Sequence, residues 1–405
     1  MLSEKFGATA KKAVTNIVLV TNAFVWYYLV IRILDNISIN LSMDQSTTIL
    51  MWTLHFAGFC VSAIAGALVA DKAGSRIRFL TIWMAVGILF SLVSMVVDTT
   101  YVPNILLLSL FLGVSLGVGM PSCMGYFTEN TRIEKRGRTG GIIILISGIT
   151  MAAIGFTARD NISLQAAILS AWRIFGLTFF LLFRNVPKSA EKNNPPSYMS
   201  LFSHRPFVLY LVPWILFSLI TYLTTPIQYE IIGKSTVEFL IVVENVFIGV
   251  FAVVGGFLLD IVGRKRVAIA GFALLGLGYS VLGIYPMELS SWYLYTVVDG
   301  VAWGMLFVIF VITIWGELSN NPPSDKNYAV GVMPFFVSKA LQFTIGNEIA
   351  SIIPTSAIFS FTALFLFLAV LPLVYAPETL PEKVMKEREL KTYVEKAQEI
   401  AQKYY

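Results

Sequence analysis

Charge is what this chain has least of. Asp, Glu, Lys and Arg make up 13 % of its 405 residues, while 57 % are hydrophobic and the mean hydropathy is +0.75. A soluble domain carries about 25 % charged residues, so a water-facing surface of this size cannot be covered, and a soluble globular protein is excluded. Cysteine is nearly absent: Cys60 and Cys123 both fall inside apolar stretches, which excludes a disulfide framework. Two histidines, no metal-ligand spacing and no nucleophile–base constellation leave an enzyme nothing to work with and imply no cofactor. No phosphate-binding Walker sequence is present, which excludes direct drive by ATP. The stretch Met1 to Asn16 lacks an apolar core followed by a small-residue cleavage site, so it reads as a retained tail and not as a signal peptide. The net charge of +5 reads as topogenic, and no nucleic-acid role is assigned to it.

What is present is apolar sequence in lengths that match a bilayer. A span takes roughly 20 apolar residues, and about twelve such stretches follow one another, from near 15–37 to near 354–375. The longest polar break runs from Asn185 to Arg205. It predicts a six-span half over 1–184, a linker over 185–205, a second six-span half over 206–375 and a tail over 376–405. In the tail, Leu390, Tyr393, Val394, Ala397 and Ile400 recur at helical spacing among Lys and Glu, the pattern of a solvated surface helix. Lys and Arg collect at one end: Lys5, Lys11 and Lys12, then Lys72, Arg76 and Arg78, then Arg132, Lys135, Arg136 and Arg138, with Arg264, Lys265, Arg266 and Lys326 in the second half. The opposite end has Arg159 and Lys234 alone. The excess of positive charge on one side predicts a multi-pass integral membrane protein with both termini in the cytoplasm, in the plasma membrane of the cell.

One short pattern occurs twice. The first copy reads Gly66-Ala-Leu-Val-Ala-Asp71-Lys72-Ala-Gly74-Ser-Arg76, and the second Gly255-Gly-Phe-Leu-Leu-Asp260-Ile-Val-Gly263-Arg264-Lys265. Asp71 and Asp260 lie 189 residues apart, one copy in each half. Internal duplication of this kind is the usual build of a secondary transporter. Glycine permits a tight turn and close helix approach. A carboxylate at a helix end accepts hydrogen bonds from a neighbouring helix N-terminus.

Twelve spans with this pattern after spans 2 and 8 resemble the major facilitator superfamily, and the resemblance covers nearly the whole chain. Ser75 and Ile261 stand where that family's motif has basic residues. Glu129, followed seven residues later by Arg136-Gly137, resembles the Glu-x6-Arg-Gly of the sugar-porter branches. Glu317 is its partner in the second half without the following Arg-Gly, and Pro377-Glu378-Thr379 is similar to that branch's C-terminal Pro-Glu-Thr. The resemblance implies an all-α transporter of twelve transmembrane helices in two pseudo-repeats. It would work as a monomer by alternating access, with Glu129, Arg136, Glu317 and the two motif loops forming its gate network. Other signatures are missing. Gly113 stands where proton-coupled members carry an arginine on span 4, and Val25 and Tyr28 stand where span 1 of metabolite symporters holds acids. The sugar-binding glutamine pairs of spans 5 and 7 are not evident.

A charge in a bilayer costs roughly 2.5 kcal/mol or more, so ionisable residues within spans are functional candidates. They are Arg32, Asp35, His55, Arg173, Glu244, Asp299 and Lys339. His55 and Glu244 precede their motif aspartates by the same interval and occupy equivalent positions of the repeat. Glu244, Asp299 and Lys339 fall on spans 8, 10 and 11, which line the second half's share of the cavity in the resembled family. One expectation is that Glu244, with His55 or Asp299, carries a coupling proton while Lys339 grips an anionic group of the substrate. The other is a Lys339–Asp299 ion pair that joins spans 10 and 11. Arg173 reads as structurally satisfied, and Arg32 with Asp35 as a local pair or an outer gate. Asn22, Trp26, Tyr27 and Tyr28 on span 1 and Trp303 on span 10 are candidates for stacking on a ligand. The function expected is transport of a small polar metabolite, organic anion ahead of sugar, with protons as a candidate coupling partner. An uncoupled facilitator is the close alternative and a non-transporting receptor or scaffold a more distant one.

Overall fold

The computed structural model describes residues 2–157, 161–184, 197–319, 323–352, 354–381 and 390. Residues 185–196 of the predicted linker over 185–205, and the predicted tail helix, Leu390 apart, lie outside the described residues. The first half comprises α1 (Leu2–Asn40), α2 (Gln45–Lys72), α3 (Arg76–Val96), α4 (Val102–Asn130), α5 (Arg136–Thr157) and α6 (Ile162–Phe183). A short α7 (Tyr198–Ser203) leads into α8 (Arg205–Ile232), α9 (Lys234–Val262) and α10 (Arg264–Ile284). Next, α11 (Leu289–Phe307) continues through a π-helical segment, Val308–Thr313, into α12 (Ile314–Glu317). The pair α13 (Asp325–Gly331) and α14 (Met333–Ile352) makes the eleventh crossing, and α15 (Thr355–Tyr375) the twelfth. Among the described residues no strand occurs, and eleven crossings are long and apolar enough for a bilayer. For the remaining one, α8, the described apolar stretch is Arg205–Ile220.

The helices end where the sequence supplies caps. Asp44 caps α2 by accepting from the Thr47 backbone N–H at 3.0 Å, and hydrogen bonds from Ser46 and Thr47 pull its pKa down to about 2, so the cap is charged. Asn161 caps α6 in the same way, at 2.9 Å to Leu164. Gly233 and Gly263 break α8 from α9 and α9 from α10 at φ of 77° and 110°, a region side chains avoid.

Two crossings are irregular where one plain helix is predicted. The eleventh starts at Asp325 and breaks at Val332, just ahead of Pro334, which has no backbone N–H to continue the ladder. The tenth carries the π segment, whose loosened carbonyls are taken by side chains: Trp315 Nε1 donates to Phe310 and the Tyr328 hydroxyl to Ile312. Such a segment rephases the helix beyond it, here between the cavity residue Phe307 and Glu317 at the basic end.

The surface is inverted, as lipid demands: Val96 is 82 % exposed and Phe156 79 %, while Asp260, Arg264, His55 and Arg173 are fully buried. With no hydrophobic drive between helices in lipid, close approach does the packing. Gly66 backs onto the Val118 carbonyl and Gly117 onto that of Phe59, and a Cβ at either would collide with α2 or α4 backbone. The same reason explains Gly113, which lies against the His55 carbonyl and leaves no room for an arginine.

Candidate functional site

At the basic end, the two motif copies each reach across to the other half. In the first half, Asp71 pairs with Lys326 Nζ of α13 at 3.0 Å. Arg76 holds Glu129 at 2.5 Å and also pairs with Asp325, whose carboxylate accepts from Ser122 as well. In the second half, Asp260 accepts from the backbone N–H groups of Gly137 and Arg138 at 2.9 and 3.0 Å and from Arg138 Nε at 3.0 Å. Those two N–H groups are orphan donors in the first turn of α5, the geometry a helix N-terminus offers to an anion. Arg264 sits between Asp260 at 3.4 Å and Glu317 at 2.9 Å, and Thr379 donates to Glu317 at 2.6 Å. Glu378 caps α10 through the Arg264 and Lys265 N–H groups at 2.8 and 3.1 Å. Gly74 and Gly263 turn the two loops at positive φ, and Gly255 lets Met305 pack where a Cβ would meet it at 2.7 Å.

This network departs from the expected one in its basic members. Arg136 donates to the carbonyls of Thr131 and Thr128, at 3.2 and 2.7 Å, and so closes the end of α4 within its own half. Arg138 is the arginine of this loop that crosses, beside Arg76 on Asp325 and Arg264 on the Ile133 carbonyl, and its counterpart is Lys326, 188 residues on. Lys72 is exposed and Lys265 Nζ donates to the Val374 carbonyl, so neither joins the crossing pairs described here. Sequence reasoning missed Asp325, Lys326, Arg138 and Ser122 as members of this network. The repeat interval applied to Arg138 was the signal that leads to Lys326.

Between the halves lies a cavity of roughly 440 Å³, lined by α1, α4 and α5 on one side and by α8, α9, α11 with its π segment, and α14 on the other. Its wall is mostly aromatic and aliphatic, and Lys339 is the one charged side chain among the described lining residues. Lys339 Nζ donates to Gln342 at 3.1 Å, and the nearby acid acting on its charge is Glu244. Glu244 is hydrogen-bonded to Asp299, which also accepts from the Tyr295 hydroxyl at 3.1 Å and from Trp303. The Tyr295 hydroxyl contacts that of Tyr279 at 2.9 Å. The three ionisable residues of spans 8, 10 and 11 are thus one cluster, with the lysine at the cavity and the acids behind it.

Of the other candidates, Tyr27 and Tyr28 line the cavity. Asn22 and Trp26, on the same helix, turn the other way. Asn22 donates to the Trp172 carbonyl at 2.6 Å and accepts from Arg173 at 2.9 Å, and Trp26 Nε1 donates to Ser91 at 2.8 Å. Arg173, fully buried, lies over Trp83 and Trp26 at 4.2 and 5.1 Å, so cation–π contact and Asn22 stabilise its charge. Asn22→Ala is expected to lower stability by about 1–3 kcal/mol, the cost of unpaired buried groups, with the response to ligand retained in a thermal-unfolding assay. His55 is held by the Ser109 carbonyl at 3.0 Å among Trp52, Phe56 and Tyr27 and does not join the acid cluster of the other half. Trp303 packs on Phe217 and Phe307, behind the cavity wall.

The arrangement, two six-helix halves around a central cavity with paired motif loops at one end, is the major facilitator fold. Solved structures agree. The proton:xylose symporter XylE bound to 6-bromo-6-deoxy-D-glucose superposes with a TM-score of 0.67 at 14 % identity, covering 92 % of this chain and 96 % of that one. A double tryptophan mutant of XylE gives 0.69 at 14 %, covering 96 % and 99 %. The human organic anion transporter MFSD10 (TETRAN) gives 0.66 at 12 %, covering 90 % and 99 %. No protein-family model and no curated protein sequence matches the chain.

Proposed function

We propose that the protein is a secondary transporter that carries an organic anion through the membrane by alternating access, coupled to protons. Lys339 carries this reading, as the single charge among the described residues of a cavity wall to which both halves contribute. A site shared by two halves is what rocking of one half against the other exposes to either side in turn. A cation in such a wall is expensive, and an anionic ligand offsets that cost when it binds. The fold likeness to an organic anion transporter and to a proton:sugar symporter supports the class. A sugar is served less well by this wall, because each hydroxyl left without a partner costs about 1–3 kcal/mol. The basic end is assigned to the cytoplasm of a plasma-membrane protein, from its excess of Lys and Arg.

Coupling is assigned to Glu244 and Asp299. Two carboxyls in hydrogen-bond contact hold at least one proton between them, since ionised carboxylates only accept. When that proton leaves, Glu244 offers its charge to Lys339; when it returns, Lys339 is released to the substrate. In proteoliposomes a pH gradient is expected to drive anion accumulation. Glu244→Gln is expected to abolish accumulation while one-for-one anion exchange continues. Uptake that only equilibrates the anion, equally fast with and without the gradient, excludes coupling and leaves the uncoupled facilitator, which Val25 and Gly113, in place of an acid and an arginine, favour.

A further inference from the structure

We infer that the anion this cavity takes is amphipathic, with a single carboxylate or similar monoanionic head on a bulky, largely aromatic body. The inference rests on the anion-transport reading above and narrows it. On α14, Phe335, Phe336, Lys339 and Phe343 all line the cavity, at spacings of three and four residues that place them on one helical face. The one charge among the described lining residues therefore stands in the middle of an aromatic stripe. Trp214 of α8 extends the stripe, its ring within 4° of parallel to Phe335 at 6.4 Å. Tyr27 of α1 meets Phe336 edge-on at 5.3 Å and 70°. Flat walls of this kind suit a flat apolar body, since ring pairs gain from stacked and edge-on contact beyond the area they bury.

The polar groups on the wall are few and mostly engaged. The Tyr28 hydroxyl accepts from Arg32 at 3.1 Å, and the Asn245 amide donates to the Ile241 carbonyl at 2.7 Å. Ser147 Oγ of α5, in a residue 3 % exposed, has no hydrogen-bond partner. Among the described lining residues, one cation, the free Ser147 hydroxyl and the unpartnered Trp214 Nε1–H, which donates only, suffice for a monoanionic head. They leave the second charge of a dicarboxylate, or the ring of hydroxyls on a sugar, stripped of water without replacement. Space is available beside them. No heavy atom lies within 4 Å of where a Gly148 Cβ would stand, and roughly 440 Å³ falls within the range of drug-sized ligand sites.

The experiment compares dissociation constants of the purified full-length protein for acetate, benzoate, 3-phenylpropionate and 2-naphthoate, beside lactate, succinate and the neutral amides of the aromatic acids. Affinity is expected to rise about tenfold for each ~55 Å² of apolar surface added. The amides are expected to bind at least about tenfold more weakly than their acids, a difference that Lys339→Met removes. Gly148→Leu, which fills the open space, is expected to weaken 2-naphthoate binding at least about tenfold. If lactate or succinate binds as tightly as 2-naphthoate in a Lys339-dependent way, the anion-transport reading stands and the amphipathic class is overturned. If no anion binds, or the amides match their acids, both fall together.

Discussion

Lys339→Met is expected to abolish stabilisation by organic anions while leaving the anion-free fold at least as stable as the wild type. A ligand at about 100 times its dissociation constant adds roughly 2.7 kcal/mol to the folded state, and this is the increment the variant loses. The anion-free protein is spared because the acids behind the lysine have other partners: Glu244 and Asp299 bond each other, and Tyr295 donates to Asp299. Removing a buried charge also removes its desolvation cost, and the loss is destabilising only where it strands an ionised partner, which the proton shared by Glu244 and Asp299 prevents. Methionine keeps the length and flexibility of the stem, so the aromatic stripe around it stays packed. Thermal unfolding with and without benzoate, on both proteins, separates the two roles open to this residue. Equal stabilisation of wild type and variant assigns Lys339 to a structural ion pair; unfolding of the variant without ligand does the same.

The positions of such residues were only partly legible in the sequence. Twelve spans and two halves could be read because apolar length is set by bilayer thickness and needs no tertiary information. The motif aspartates could be read because duplication marks them twice. Which face of a helix meets the cavity could not. Trp26 and Tyr27 are adjacent on α1, about 100° apart around its axis, yet one bonds Ser91 in the bundle and the other faces the cavity. In a span buried on several sides, both faces are apolar and periodicity carries no sign. The break at Val332 was hidden for a related reason, since an apolar run reads as one helix whether or not Pro334 begins a new one. The motif alone does not tell which arginine reaches the other half: Arg136 matches the resembled pattern, but Arg138, two positions on, is the one that bonds Asp260. Only the repeat interval, which couples Arg138 to Lys326, carries that information.

Asp260→Ala is expected to release the latch at the basic end and shift the protein toward the state open there. The aspartate accepts three hydrogen bonds from the other half, two from backbone N–H groups of α5 and one from Arg138. Bonds to an ionised group contribute about 1.5–3 kcal/mol each. Losing all three therefore moves a two-state equilibrium by several kcal/mol, which is two or more powers of ten in population. Arg264 is not orphaned by the change, because Glu317 and the Leu259 carbonyl still hold it, at 2.9 and 2.8 Å. The variant thus loosens the contact between halves without stranding a charge inside one of them. Spin labels at Lys135 and Ile261, both exposed and on opposite halves, report the change. Their distance distribution should move to longer values in Asp260→Ala, and by a comparable amount in Asp71→Ala if Lys326 and Arg138 are equivalent latches. An unchanged distribution in both variants would mean that this end is closed without help from the two motif aspartates, by packing of α5 against α9, where Gly137 and Gly256 bring the two backbones together, and by the Arg76–Asp325 pair.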